Sequence, residues 1–286
     1  MVQSLTPEQL ETAYGRTPPV AIVPPALEPT PVLRNESVLA EIERTGVLKV
    51  AFPKICRPFG FINEENEWDG YCGAISLALG QYLSTRLDVA RPVQVVELTS
   101  TLQTRFDLVR DGIVHLECGP NTIRADIPGI TFSEPLYATG ARFLIPNQSA
   151  ETIRPSLPLA GLRLGVLQDS TTESFVRGTY PQADIVTFSG DQDQAQGVQA
   201  VAVGEIDAFV GDSILSRAEV ERQKLPAADY RLVPETPLTC EFYGFILPNN
   251  DPTWKTLVGQ VYSGVREHFQ AAFEQNLREL EACLDQ

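Results

Sequence analysis

The stretch Glu117-Cys118-Gly119-Pro120-Asn121-Thr122-Ile123-Arg124 decides how the chain is interpreted. The residues before it are typical of a turn entering a short apolar strand, which Gly-Pro then breaks. Gly119 leaves room for close approach to the backbone. An amide, a hydroxyl and a guanidinium follow, from Asn121, Thr122 and Arg124. These donors could converge on a small anion such as a carboxylate, or the segment is an ordinary strand-to-loop exit with solvated polar residues.

The composition limits the class of protein. The chain has 286 residues, of which 43% are hydrophobic, enough for two modest domains that need no metal or cofactor to fold. A net charge of -15 argues against nucleic acid or an anionic membrane surface as a partner. No apolar run could span a membrane, and the first residues lack the features of a signal peptide, so any export signal has been removed.

Cysteines and histidines carry limited chemical information. The five cysteines include no CxxC pair and fit two disulfides plus one odd thiol, as in an oxidising compartment. The only two histidines, His115 and His268, lie in a predicted strand and a predicted helix with no cysteine at ligand spacing. We therefore interpret both as structural or solvated and expect no zinc site.

Strands alternate with helices over most of the chain. The alternation predicts mostly parallel sheets flanked by helices, after a proline-rich arm over residues 1–36. A strand near 141–146 and a long strand over 238–248 are expected to cross between two lobes. The predicted lobes are lobe 1, residues 37–142 plus 245–286, and lobe 2, residues 143–244.

Two further segments end strands of the second lobe with polar groups. Ser170, Thr171 and Thr172 precede a predicted helix, where they could present N–H groups to an anion or act only as a helix cap. Asp212 ends an apolar strand and could be a helix N-cap or accept a hydrogen bond from a ligand ammonium. Since ligands of such sheets bind beyond the carboxyl ends of the strands, the loops of Arg57 and Asn121 are candidates as well.

Six motifs occur in an order that is typical of one known family. They are Gly46-Val47-Leu48-Lys49-Val50-Ala51, Pro58-Phe59-Gly60-Phe61, Trp68-Asp69-Gly70-Tyr71, Phe132-Ser133-Glu134-Pro135-Leu136-Tyr137, Gly204-Glu205-Ile206-Asp207-Ala208-Phe209-Val210-Gly211-Asp212 and Tyr243-Gly244-Phe245-Ile246-Leu247-Pro248. This set resembles the bacterial extracellular solute-binding proteins of family 3, the periplasmic polar amino-acid receptors of ABC transporters. The resemblance covers about residues 37–286. The start of the Glu117 stretch is most similar to glutamate/aspartate-type members and cyanobacterial relatives.

The resemblance implies a two-lobed periplasmic-binding-protein (type II) fold, the "Venus flytrap" that closes over an amino acid. By position, Asp212 would accept the ligand ammonium, and Ser170 with Thr171 would donate to the α-carboxylate. Gly119 and Asn121 would line the ligand site on the first lobe. Arg57 and Phe59 lie where the family has residues for side-chain selectivity and an aromatic wall.

The sequence departs from the family pattern at two places. Asp126 stands where the family's carboxylate-binding arginine is expected, so either Arg124 takes that role, which we favour, or the ligand lacks an ordinary α-carboxylate. Asp69-Gly70-Tyr71-Cys72 also replaces the family's common Gly-Phe-Asp pattern, which fits a disulfide between Cys56 and Cys72. Cys118 and Cys240 would both lie on or near the crossing strands, where a second disulfide could stiffen the hinge. The role of Cys283 stays open.

The function implied by the resemblance is a monomeric, non-enzymatic receptor in the periplasm or outside the cell. It would capture a small polar or acidic amino acid and deliver it to an ABC permease, with the arm as a possible membrane tether. One alternative is a sensory module of the same fold that signals to a membrane partner. A second is a dehydratase-type enzyme, which the absence of a nucleophile–base signature disfavours.

Overall fold

The computed structural model describes residues 36–63, 68–125, 127–190 and 192–265. These residues form two compact units. Apart from the gaps just given, unit 1 contains residues 36–54, 59–136 and 244–265, and unit 2 contains residues 55–58 and 137–243. The predicted arm up to residue 35, Asp126, His268 and Cys283 lie outside the described residues.

Helices and strands alternate along the described chain. The helices are α1 Val38–Thr45, α2 Tyr71–Arg86, α3 Arg105–Arg110, α4 Thr171–Thr179, α5 Asp193–Ala202, α6 Ser213–Arg222 and α7 Pro252–Val265. The strands are β1 Val47–Phe52, β2 Ile55–Cys56, β3 Gly60–Ile62, β4 Trp68–Asp69, β5 Gln94–Thr99, β6 Leu116–Glu117, β7 Ile130–Phe132, β8 Tyr137–Thr139, β9 Ala141–Pro146, β10 Arg163–Leu167, β11 Asp184–Phe188, β12 Ala208–Asp212, β13 Tyr230–Val233, β14 Glu241–Tyr243 and β15 Ile246–Pro248. None of the described helices is both long and apolar enough to cross a membrane.

Unit 1 is built on a five-stranded sheet with the order β5-β1-β6-β15-β7. Strand β1 is parallel to β5 and β6, whereas β15 is antiparallel to β6 and β7. On β1, both Val50 and Ala51 are fully buried. Because successive strand residues point to opposite faces, the sheet is covered on both sides. Ala51 packs in one cluster with Val109 of α3.

Helix α1, which leads into this sheet, is capped at both ends. The Ser37 hydroxyl accepts a hydrogen bond from the Ala40 N–H at 3.2 Å. At the other end Gly46 has a φ of 70°, and its N–H donates to the Ile42 carbonyl at 2.7 Å. A glycine adopts this left-handed conformation without strain, so the helix stops and β1 begins at the next residue.

Unit 2 repeats this arrangement with the order β11-β10-β12-β9-β13. Strand β10 is parallel to β11 and β12, and β9 is antiparallel to β12 and β13. Phe143 and Leu144 of β9 belong to two separate apolar clusters, the first with Val176 of α4 and the second with Val198 of α5. The segment that the sequence placed at a crossing, 141–146, is therefore a strand inside the sheet of unit 2.

A two-stranded antiparallel ladder of β8 and β14 lies at the ends of unit 2, where the chain enters and leaves it. Its register pairs Thr139 with Glu241 and Tyr137 with Tyr243. A Cβ atom on the adjacent Gly140 would lie 1.9 Å from the Thr239 carbonyl oxygen, so only glycine fits there. The ladder therefore depends on a close approach between the two chain segments.

The predicted long strand over residues 238–248 is wrong. The structure has two short strands instead, β14 and β15, separated by Gly244 and Phe245. The Gly244 N–H donates to the Asn121 carbonyl at 3.0 Å, and the Phe245 N–H donates to the Ser133 hydroxyl at 2.9 Å. These bonds to loops of unit 1 interrupt the ladder at this point.

Candidate functional site

The carboxyl edge of the unit 1 sheet encloses a buried carboxyl group, that of Glu117 at the end of β6. Ser100, just after β5, donates its hydroxyl hydrogen bond to Glu117 Oε1 at 2.6 Å, and the Asn121 side-chain amide donates to Glu117 Oε2. Glu117 is only 1% exposed. Burial raises the pKa of Glu117, while the hydrogen bonds from Ser100 and Asn121 and the charge of Arg105 oppose this rise.

One of the polar residues that follow Glu117, Asn121, is hydrogen-bonded to it. Asn121 is buried, and its side chain points to Glu117. A Cβ atom on Gly119 would lie 3.0 Å from Glu117 Oε1 and 3.3 Å from Pro53 Cδ. The sequence analysis expected room for close approach to the backbone at Gly119. This space is bordered by the side chains of Glu117 and Pro53. Thr122 is half-buried.

Arg124, the predicted carboxylate partner, is half-buried beside helix α3. Its guanidinium carbon lies 5.3 Å from the centre of the Phe106 ring, and that of Arg105 lies 4.8 Å from the same centre. Two cations thus share one aromatic ring, an arrangement that cation–π attraction stabilises. The sequence analysis missed Arg105 and Phe106. Their position at the start of the helix that follows β5, at the same sheet edge, is the signal that could have identified them.

The cysteine pairing differs from the prediction. Cys72 forms a disulfide with Cys118, and their Cα atoms are 5.6 Å apart. Cys240 is also disulfide-bonded. The predicted pairs Cys56–Cys72 and Cys118–Cys240 are therefore both wrong. The reason is topological: α2 begins at the edge of the sheet where β6 ends, so residues in the first turn of α2 lie beside Cys118 although they are distant in sequence.

Phe59 and Arg57, the predicted selectivity positions, belong to different units. Phe59 is buried in unit 1, where its ring meets that of Tyr71 edge to face at 5.8 Å. Its carbonyl accepts a hydrogen bond from the Cys72 N–H at 2.8 Å. Arg57 is half-buried in the short segment 55–58 of unit 2. Phe59 therefore supports the start of α2, next to the disulfide.

In unit 2 the three predicted hydroxyl residues form the start of α4. Ser170 is the N-cap: its hydroxyl accepts from the Glu173 N–H at 3.0 Å and donates to the Leu167 carbonyl at 2.7 Å. The Thr171 hydroxyl donates to Glu241 Oε2 at 2.8 Å, and Thr172 is buried. Because a hydroxyl has one proton to donate, the protons of Ser170 and Thr171 are both already used. Ser170 therefore has the helix-cap role, one of the two roles that the sequence analysis considered for it.

Asp212 ends β12, directly before α6, and is half-buried. The Tyr243 hydroxyl donates a hydrogen bond to Asp212 Oδ2. Tyr243 is fully buried and stacks on Tyr137, with ring centres 6.3 Å apart. Burial, together with the negative charge of Asp212, raises the pKa of Tyr243 well above its usual value. The phenol therefore stays a neutral donor at working pH.

Strand β14 brings Thr171 and Asp212 close together. Glu241 binds Thr171 and Tyr243 binds Asp212, and residues two apart in a strand point to the same side. The strands before the two residues, β10 and β12, are neighbours in the sheet. Sequence analysis missed Glu241 and Tyr243, although polar residues at alternate positions of a strand are a usable signal.

His115 has the structural role that the sequence analysis assigned to it. Its Nδ1 accepts a hydrogen bond from the Lys49 N–H at 3.1 Å, its Nε2 lies 3.4 Å from Glu41 Oε1, and its carbonyl accepts from Trp254 Nε1 at 2.8 Å. Burial lowers the pKa of His115, an effect that Glu41 partly opposes. Within the described ranges, no three His, Cys, Asp or Glu side chains are grouped so that they could hold a metal ion.

Comparison with known proteins finds sequence relatives of this chain. No protein-family model matches the chain. The chain is similar to the glutamate/aspartate import solute-binding protein of Salmonella typhimurium, with 25% identity over 225 residues that cover 78% of this chain and 72% of the relative. This agrees with the predicted resemblance to solute-binding proteins.

Two solved structures share the fold. An ancestral amino acid-binding protein, a precursor of cyclohexadienyl dehydratase, matches with a TM-score of 0.69 and 22% identity over 84% of this chain and 99% of its own. An amino acid ABC transporter substrate-binding protein from Streptococcus pneumoniae, bound to L-arginine, matches with a TM-score of 0.69 and 17% identity over 87% of this chain and 98% of its own. The predicted type II periplasmic-binding-protein fold and the resemblance to extracellular solute-binding proteins are confirmed.

Proposed function

We propose that the protein captures a small polar or acidic amino acid and delivers it to the permease of an ABC transporter. The observation that carries this proposal is Asp212, a half-buried residue at the end of β12 whose carboxylate Tyr243 holds in one orientation. A carboxylate fixed in this way is suited to accept charge-assisted hydrogen bonds from an ammonium group. The import role of the Salmonella relative and the transporter role of the Streptococcus protein support the same class of function.

Arg124 is the proposed partner of the ligand carboxylate. The guanidinium carbon of Arg124 lies 5.3 Å from the centre of the Phe106 ring, and a guanidinium can contact a ring through its face while its edge binds a carboxylate. Since the hydroxyl protons of Ser170 and Thr171 are used within unit 2, the start of α4 would contribute backbone N–H groups and the positive end of the helix dipole. The other proposed contacts are Arg57, Phe59, Gly119, Asn121, Thr122 and Thr172.

The proposed location is the periplasm or the cell exterior. Cys72–Cys118 and the disulfide of Cys240 are of the kind that forms and persists in oxidising compartments. A monomer that meets a membrane permease, with the proline-rich arm as a tether, fits this location. A sensory module of the same fold would occupy the same compartment and would differ in its membrane partner.

We also propose that the ligand leaves the protein chemically unchanged. The import role of the Salmonella relative supports binding without a chemical step. One structural neighbour is an ancestral precursor of a dehydratase, so the enzyme alternative is tested as well. Quantitative recovery of L-glutamate after prolonged incubation with the protein is the expected result, and loss of the amino acid would favour an enzyme.

Isothermal titration against the twenty amino acids tests the proposal. We expect saturable binding of L-glutamate, L-aspartate or a polar amino acid at micromolar concentrations, with the D-isomers as matched controls that bind weakly. L-Arginine belongs in the series because the Streptococcus protein binds it. No binding of any of the twenty at millimolar concentration would contradict the proposal.

A further inference from the structure

Strand β14 connects both ligand-binding segments predicted in unit 2. The Glu241 carboxylate accepts hydrogen bonds from the hydroxyls of Thr171 at 2.8 Å and Thr239 at 3.2 Å. The bond from Thr171 attaches β14 to the first turn of α4. Two residues further on, and on the same side of the strand, the Tyr243 hydroxyl reaches Asp212. Glu241 therefore fixes the position of Tyr243 relative to α4.

The Tyr243 ring has little freedom to move. Tyr243 is 0% exposed, and its neighbour across the ladder, Tyr137, stacks on it and is also buried. A side chain packed in this way keeps one rotamer, so its hydroxyl stays in one position. The carboxylate that accepts this hydrogen bond is thereby given a preferred orientation before any ligand arrives.

We propose that Tyr243 is a positioning residue for the ammonium-binding carboxylate of Asp212, an inference that rests on the proposed function. A tyrosine suits this task because its neutral hydroxyl orients a carboxylate without itself cancelling the negative charge. A lysine or arginine in its place would add a positive charge that repels the ligand ammonium. A carboxylate has about four acceptor positions, so accepting a hydrogen bond from Tyr243 is compatible with accepting one from an ammonium.

A double-mutant cycle of Tyr243→Phe and Asp212→Asn tests this role, with L-glutamate as the titrated ligand. Phenylalanine keeps the ring and removes only the hydroxyl. We expect Tyr243→Phe to weaken binding about tenfold, as is usual for the loss of a hydrogen bond to a charged group. If the tyrosine acts through Asp212, the same substitution has almost no further effect in the Asp212→Asn background.

Tyr180→Phe is the matched control. Tyr180 is buried in the same unit, and its hydroxyl also makes one hydrogen bond, to the Pro155 carbonyl at 2.8 Å. We expect it to lower the melting temperature about as much as Tyr243→Phe while leaving the affinity unchanged. Additive effects in the cycle, or an equal affinity loss in Tyr180→Phe, would overturn the positioning role. A wild-type protein that binds none of the twenty amino acids would instead defeat the proposed function itself.

Discussion

The two units share one sheet order but differ at the end of the corresponding central strand. In unit 1 this strand is β6, and its carboxyl group, Glu117, is 1% exposed and enclosed by Ser100 and Asn121. In unit 2 it is β12, which ends in Asp212; this residue is half-buried, and Tyr243 donates a hydrogen bond to its Oδ2. The same position of the fold thus holds an almost completely buried acidic residue in one unit and a half-buried one in the other.

This difference shows that a carboxylate at a strand end is not by itself evidence of a ligand site. The surroundings of Glu117 use its oxygens and raise its pKa by burial, which suits a structural acid. The surroundings of Asp212 orient its carboxylate through Tyr243, while the residue as a whole is only half-buried. We therefore assign structure to the first acid and ligand binding to the second.

The largest effect is expected from removing the disulfide of unit 1. Since Cys72 and Cys118 are 46 residues apart, replacing both by alanine should lower the free energy of unfolding by about 4 kcal/mol. Guanidinium unfolding measures this change. A loss below about 1 kcal/mol would contradict a stabilising role for this disulfide.

A smaller effect is expected in unit 2 from Thr171→Val. Valine has nearly the same shape as threonine but leaves one oxygen of the buried Glu241 without its hydroxyl donor. The expected loss of stability is about 2 kcal/mol. Thermal melting measures it against Thr152→Val, which removes the exposed hydroxyl bond to the Ser149 carbonyl in the same unit. Equal losses in the two variants would show that Thr171 does not hold β14.

The smallest predicted effect concerns Glu97, a third acidic residue whose burial can be compared with that of Glu117 and Asp212. Burial raises the pKa of Glu97 on β5 from 4.5 to about 7. The folded protein thus binds more protons than the unfolded chain in this window, so Glu97 reduces stability as the pH rises from 4.5 to 7. Glu97→Gln should be more stable than the wild type by about 1 kcal/mol at pH 8, after allowance for solvent screening, and equal to it near pH 4. Urea unfolding at the two pH values measures this, and a pH-independent difference would contradict the prediction.

The sequence was sufficient for several of the strands in both sheets. The apolar runs around Val47–Phe52 and Arg163–Leu167 coincide with β1 and β10. Local apolar patterns and glycine stops determine such strands, so they are visible without coordinates. Asp212 was also placed correctly at a strand end, because the run before it is apolar and helix α6 follows.

The partners of these residues could not be predicted. The Cys72–Cys118 bond depends on which sheet edge the start of α2 meets, which is a property of the topology and not of spacing. The end of β14 depends on the bond from Gly244 to the Asn121 carbonyl, between residues more than a hundred positions apart. The role of Tyr243 likewise follows from a distant contact with Asp212.

The most direct test is calorimetric titration of L-glutamate into Asp212→Asn and Glu117→Gln, each compared with the wild type. Asp212→Asn should weaken binding by at least about 100-fold, because the ligand ammonium loses its charged partner. Glu117→Gln should lower the melting temperature while the affinity stays within about threefold of the wild type. Wild-type affinity in Asp212→Asn, or loss of binding in a folded Glu117→Gln protein, would contradict the assignment of the two acids.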